Sequence, residues 1–178
     1  MKKIYRFLSF LVLAFLFIQC TGEETTSGDT MFVNDVAFPI GANGGIGSFY
    51  NSTMFHAGTS TGDYNIRTFT IVKANSTSEE DADTINLSIF YPVSQSIDGT
   101  YNLDFNSSAL PSTYAVCVFA NSAETFGDGE NAATGTVTIT DNGNNNFKIV
   151  FNNVVLTKEA TGGSKTITGY CAPTFMQF

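Results

Sequence analysis

The chain contains no tryptophan, one histidine, four prolines, three cysteines and only eight basic residues among 178. Each scarcity removes a class of function. The one histidine, His56, is the only base available to a Ser-His-acid or Cys-His site. Its setting, Thr53-Met54-Phe55-His56-Ala57-Gly58, lacks a nucleophile-elbow pattern. Alternation turns Phe55 inward and His56 outward near a strand end, the position of a rim histidine. One histidine with widely spaced cysteines also fails to supply tetrahedral zinc spacing. Eight bases against sixteen acids give a formal net charge of −8, a surface that repels nucleic acid and anionic headgroups. Without tryptophan, a flat platform for sugars would have to come from Tyr50, Tyr64, Tyr91, Tyr101, Tyr114 or Tyr170. Most of these lie in strand patterns, where sheet packing is the ordinary use of tyrosine.

Long apolar runs are equally scarce. Phe7 to Ile18 is apolar but for Ser9, behind a basic front of Lys2, Lys3 and Arg6, and Cys20 follows it. Twelve helical residues rise about 18 Å, short of the ~30 Å hydrocarbon core of a bilayer. The stretch is therefore a signal-peptide core and not a membrane span. A cysteine at this position resembles the lipid-attachment site of a bacterial lipoprotein, and Phe17-Ile18-Gln19-Cys20 resembles a relaxed form of the usual box. The resemblance implies a diacylglyceryl group on the Cys20 thiol, cleavage just before it, and attachment to a membrane through that lipid. Ordinary secretion with a later cut is the alternative. Removal of residues 1–19 leaves Arg67, Lys73, Lys148, Lys158 and Lys165 against sixteen acids, a net charge of −11.

Residues 20–30 hold no large apolar side chain and form a polar tether. Glu23 and Glu24 are similar to the acidic export signal of some Bacteroidota surface lipoproteins. That similarity favours the outer surface over the periplasmic leaflet of the outer membrane.

Residues 31–178 are expected to be one all-β domain, since no segment carries helical apolar spacing. Strands are expected at Met31–Phe38, Gly47–Phe55, Tyr64–Lys73, Thr84–Tyr91, Gly99–Phe105, Thr113–Asn121 and Lys165–Phe178. The clearest unit is a late hairpin. Val137 and Ile139 alternate with Thr136, Thr138 and Thr140, then Asp141-Asn142-Gly143-Asn144-Asn145-Asn146 turns the chain, and Phe147, Ile149 and Phe151 return on the apolar face. The apolar phase then shifts to Val154 and Leu156, which predicts a β-bulge at Asn152-Asn153. Nine or ten short strands make an antiparallel β-sandwich, or alternatively a closed lipocalin-like barrel.

The order Phe32-Val33-Asn34-Asp35-Val36-Ala37-Phe38, Gly99-Thr100-Tyr101, Gly135-Thr136-Val137-Thr138-Ile139-Thr140 and Ile167-Thr168-Gly169-Tyr170 resembles small Bacteroidota lipoproteins of unknown function. The resemblance implies a secreted all-β domain and no particular activity. Asp29-Thr30-Met31 and Asp83-Thr84-Ile85 resemble O-glycosylation acceptor tripeptides of that group.

Other constellations are weak. Glu79, Glu80, Asp81 and Asp83 are candidate ligands for a hard cation such as Ca²⁺, but the spacing of a calcium-binding hand is absent and a solvated acidic loop fits as well. Asp128-Gly129-Glu130-Asn131 is a lesser version. Gly41-Ala42-Asn43-Gly44-Gly45-Ile46-Gly47 lacks the Lys-Ser/Thr pair and helix of a phosphate loop. Cys117 and Cys171 form a candidate disulfide pair in an oxidising compartment, though two separate buried thiols are favoured. The expectation is a non-enzymatic, lipid-anchored binding module without cofactor or resident metal. Carbohydrate binding, a fibre or adhesin subunit fed by a donor strand from Thr21–Asn34, and a hydrolase using paired acids are the alternatives.

Overall fold

Two three-stranded meanders form the centres of two facing sheets. The computed structural model describes residues 30–40, 45–55, 63–74, 82–103, 112–128, 132–158 and 162–178. In chain order its strands are β1 (Thr30–Val33), β2 (Val36–Ala37), β3 (Gly45–Phe55), β4 (Asp63–Ala74), β5 (Ala82–Pro92) and β6 (Gly99–Asn102). They continue with β7 (Tyr114–Ala120), β8 (Thr125–Phe126), β9 (Ala133–Asp141), β10 (Phe147–Thr157), β11 (Ser164–Cys171) and β12 (Met176–Gln177). The first sheet runs β2-β1-β11-β10-β9-β6 and the second β12-β3-β4-β5-β7-β8. Every named pairing is antiparallel except β12 on β3. The two sheets stay separate and pack into a β-sandwich; they do not close into a barrel.

Alternation decides which side chains fill the space between the sheets. Val137, Ile139, Phe147, Ile149, Phe151, Val154, Leu156 and Ile167 come from the first sheet. Phe69, Ile71, Ile85, Leu87, Ile89, Ala115, Cys117 and Phe119 come from the second. The bulge lies where the phase shift requires it. Register slips between Phe151 and Val154 against β11, and between Asn152 and Val155 against β9. Asn153 absorbs the extra residue at φ 50°, a conformation asparagine tolerates. Val155, left on the outer face, is half-buried. The turn before β10 likewise uses Gly143, Asn144 and Asn145 at positive φ.

The ends of the chain differ from the alternation reading. Met31–Phe38 is not one strand. Asn34 and Asp35 take φ 49° and 62° and fold β2 back on β1, the backbone a two-residue hairpin turn needs. β1 itself pairs with β11, Thr30 opposite Tyr170 and Val33 opposite Ile167. Asn34 is held there by two bonds to Thr166, one from its N–H and one to its Oδ1. Residues 30–33 of the Thr21–Asn34 segment pair with β11 of their own chain.

Lys165–Phe178 also splits. β11 stops at Cys171 before Pro173, which has no N–H for a ladder. The segment then crosses between the sheets and β12 joins β3. Phe175 anchors the crossing, with its ring 5.1 Å from Phe69 and 6.0 Å from Phe147, edge to face in both cases. Its N–H bonds Asn145 O at 2.8 Å. The extra strands arise from these two splits and from β8.

Cys117 lies in β7 of the second sheet and Cys171 at the end of β11 of the first, both fully buried. Cys117 is a free thiol, and burial pushes it up to about 12. Only the thiolate is nucleophilic. Alkylation of the folded protein at pH 8 should therefore leave Cys117 unmodified over hours, whereas labelling in denaturant should be complete within minutes. Rapid native labelling would place Cys117 outside the core.

Candidate functional site

The sandwich offers two ends and two outer faces, and they differ in chemistry. One end, at the β9–β10 turn, is closed by polar groups. Arg67 on β4 reaches across to Asp141 on β9 at 3.9 Å and lies over the Phe147 ring at 5.0 Å. Asp98 accepts the Asp141 N–H at 2.8 Å and the Ser96 hydroxyl at 2.8 Å. The Asp141 N–H and the Ser96 hydroxyl hold its carboxyl below the usual carboxylate range. Tyr101 donates to Ile97 O at 2.7 Å, and burial raises its phenol. Burial also raises Tyr91, against the nearby Arg67 charge. Of these contacts, the Arg67–Asp141 pair bridges the two sheets.

The other end holds a cleft of about 530 Å³ between the 121–125 turn, Asp128 and Lys158. The turn is shaped by Asn121, whose Oδ1 accepts the N–H groups of Ala123 and Glu124, both at 3.0 Å. Glu124 pairs with Lys165 at 3.3 Å. The Lys165 ammonium lies 5.2 Å from the Phe126 ring and that of Lys158 lies 5.8 Å from it. Two acids, Glu124 and Asp128, and one base, Lys158, line the cleft.

The outer face of the second sheet is half-covered. Thr68, though it points outward, is only 6% exposed, and its hydroxyl lies 2.8 Å from that of Ser88. Phe90 and Tyr114 stack there at 4.3 Å with planes 6° apart, so their rings serve each other.

The outer face of the first sheet is different: partly exposed along its strands and almost without charge. Its outward positions carry Thr134, Thr136, Thr138 and Thr140 on β9, Lys148, Val150 and Asn152 on β10, and Thr166, Thr168 and Tyr170 on β11. Thr100 and Asn102 extend it on β6, and Thr30 and Phe32 on β1. Among the described residues Lys148 is the only charge at an outward strand position of this sheet. Strand geometry sets the side chains on a grid of roughly 4.8 Å across strands and 6.8 Å along them. Hydrogen bonds tie the grid together. The Thr100 and Thr138 hydroxyls are 2.9 Å apart, and Asn152 Nδ2 donates to Thr136 and Thr138 at 3.3 and 3.4 Å.

Tyr170 and Phe32 form a ledge on this grid. Tyr170 pairs with Thr30 and Phe32 with Thr168, which makes the two rings diagonal neighbours, within about 7–8 Å backbone to backbone. Phe32 is 37% exposed, and the Lys148 ammonium lies 4.9 Å from the Tyr170 ring centroid. Of the tyrosines considered from sequence, Tyr64, Tyr91, Tyr101 and Tyr114 are buried at 1–6% exposure. The side chain of Tyr50 lies outside the described residues. Tyr170 alone of the described five remains half-open. Phe32 escaped sequence reading, although Met31 and Val33 on the inward phase leave it outward.

Other sequence candidates do not converge on this face. Asp83 lies on β5, 4.0 Å from Lys73, and Asn121 Nδ2 donates to it at 3.4 Å. Its carboxylate is engaged by the protein's own side chains. Glu79, Glu80, Asp81, His56, Cys20, tether residues 21–29 and Gly41–Gly44 lie outside the described residues, as do Gly129 to Asn131. Gly45 to Gly47 open β3. Among the described residues no three His, Cys, Asp or Glu side chains come together as a metal would require. Thr84 of the second acceptor tripeptide sits mid-strand, paired with Val72 and Ala120, while Thr30 is exposed at the start of β1. No protein-family model, curated protein or solved structure matches the chain.

Proposed function

We propose that the chain is a lipid-anchored envelope protein whose domain acts as a non-enzymatic binding module, with the outer face of the first sheet as its contact surface. The observation that carries the reading is that face: it spans six strands, carries one charge among its described strand positions, and belongs to a mature chain of net charge −11. Acidic surfaces keep a protein soluble and apart from other anionic surfaces. A broad patch spared from that charge is a place where contact is made.

Anchoring rests on Lys2, Lys3, Arg6, the apolar run to Ile18 and Cys20. The outer leaflet of the outer membrane is the proposed location, from Glu23 and Glu24. The chain enters the domain at Thr30, on the edge side of the same sheet. Ten tether residues reach roughly 34 Å when extended, enough for the domain to turn this face away from the lipid.

Replacing Cys20→Ala should move the protein from the membrane to the soluble fraction. Intact mass of the wild-type protein should correspond to a chain beginning at Cys20 with added acyl groups. A soluble, unacylated wild-type product would contradict the anchoring.

A further inference from the structure

We infer that the ligand of the first-sheet face is a neutral polysaccharide, stacked on Tyr170 and Phe32 and hydrogen-bonded by the threonine and asparagine side chains of β9 and β10. The inference rests on the binding-module reading above and names its ligand class.

Three properties of the face select this chemistry. First, the hydrogen-bonding groups are hydroxyls and amides, which both donate and accept. Sugar hydroxyls do the same, so each contact can form in either sense without a charge to compensate. Thr134, Thr136, Thr138, Thr140, Asn152 and Thr166 repeat such groups along and across the strands. Second, the face keeps two neighbouring rings partly exposed, Phe32 and Tyr170, the latter with the Lys148 ammonium 4.9 Å from its centroid, while the other described tyrosines are buried. An aromatic ring presents a broad apolar face with negative quadrupole, and the axial C–H groups of a pyranose present the matching apolar, weakly positive face. Third, the scarcity of charge argues for an uncharged partner. A protein partner surface normally brings charged groups to the rim of an interface, and on this sheet only Lys148 could answer them. An outer face that runs across six strands agrees with a polymer lying across them, in contrast to the small concave site a free monosaccharide needs.

The second-sheet face lacks these properties. Its described aromatic pair is stacked ring on ring, and its central threonine is nearly buried. The cleft at Lys158 is lined by charged side chains, Glu124, Asp128 and Lys158, and lies apart from the outer face of the first sheet.

The test is electrophoresis of the full chain, in a polyoxyethylene detergent, through native gels. These contain amylopectin, a mixed-linkage β-glucan, xylan or galactomannan, with anionic polygalacturonate for comparison. Retention on at least one neutral polymer is expected, with only a weak dependence on salt, since Lys148 beside Tyr170 is the single charge among the described strand positions of the face. Tyr170→Ala should weaken that retention roughly tenfold, the loss of one aromatic stacking contact. Tyr170→Phe should restore it, which separates the ring from its hydroxyl. Phe32→Ala should weaken it similarly, and Lys158→Ala in the cleft should change nothing. Melting temperatures of the variants check that each is folded.

A parallel arm measures sedimentation with envelope particles before and after periodate, which cleaves the vicinal diols of sugars. Loss of co-sedimentation after periodate supports the inference. Binding that survives periodate but falls with Tyr170→Ala overturns the glycan and leaves the binding face standing. Absence of binding to every polymer and to the particles overturns both. Retention on polygalacturonate alone, or loss with Lys158→Ala and not with Tyr170→Ala, also refutes the inference.

Discussion

Phe151→Ala is expected to destabilise the domain by about 3–5 kcal/mol, the usual cost of removing a large aromatic side chain from a packed core. In a domain of this size that lowers the melting temperature by roughly 10 °C. Phe151 sits on β10 at the centre of the first sheet, opposite Val137 on β9 and Gly169 on β11, and is 2% exposed. The tight register of both neighbours leaves little room for the cavity to collapse. Lys148, three residues earlier and on the other face, is exposed, and its main contact is the Tyr170 ring. Lys148→Ala should cost no more than about 1 kcal/mol. Thermal unfolding of the two variants measures the difference. Equal losses would show that the assignment of faces on β10 is wrong, and the proposed contact surface would fall with it.

Gly169→Ala should be similarly damaging for a different reason. Gly169 adopts φ +87°, and a Cβ added there would run into the Thr30 carbonyl oxygen of the paired strand. That oxygen belongs to the β1 backbone, so it cannot rotate aside as a side chain would. The left-handed conformation alone costs about 1–2 kcal/mol for a residue with a Cβ, and displacement of β1 adds the loss of its pairing. A total of about 3 kcal/mol or more is expected. Gly143→Ala is the control. Its φ is +79°, but nothing lies within 4 Å of the added carbon, so only the conformational cost of about 1–2 kcal/mol remains. Amide exchange should also accelerate at Asn34 and Phe38, whose N–H groups bond Thr166 O and Met31 O. Equal effects from the two substitutions would contradict the docking of β1 on β11, and with it the placement of Phe32 beside Tyr170.

The late hairpin was legible in the sequence because every signal for it is local. Alternation from Gly135 to Leu156 fixes the face of each residue, and an inserted residue leaves a visible phase shift, found at Asn152 and Asn153. The chain ends were less legible. Asn34-Asp35 is a hairpin turn only because the flanking residues return to pair; in isolation it continues an alternating strand. The crossing at Pro173 depends on Phe175 finding Phe69 and Phe147, contacts that join residues far apart in sequence. The candidate face was half-readable. Alternation shows that Tyr64, Tyr114 and Tyr170 all point away from the interior of their sheets. It does not show which outer surface is covered, and Tyr64 and Tyr114 are buried while Tyr170 is half-open.

The threonines of the two sheets provide the most direct probe of the binding surface. With ¹³C-labelled threonine methyl groups, the full chain in detergent can be titrated with the neutral polysaccharide that retards it most. Shifts are expected at Thr134, Thr136, Thr138, Thr166 and Thr168 on the first sheet, while Thr68, Thr70 and Thr84 on the second stay in place. Shifts confined to the second-sheet threonines, or to Thr125 beside the cleft, would contradict the assignment of the first-sheet face as the contact surface.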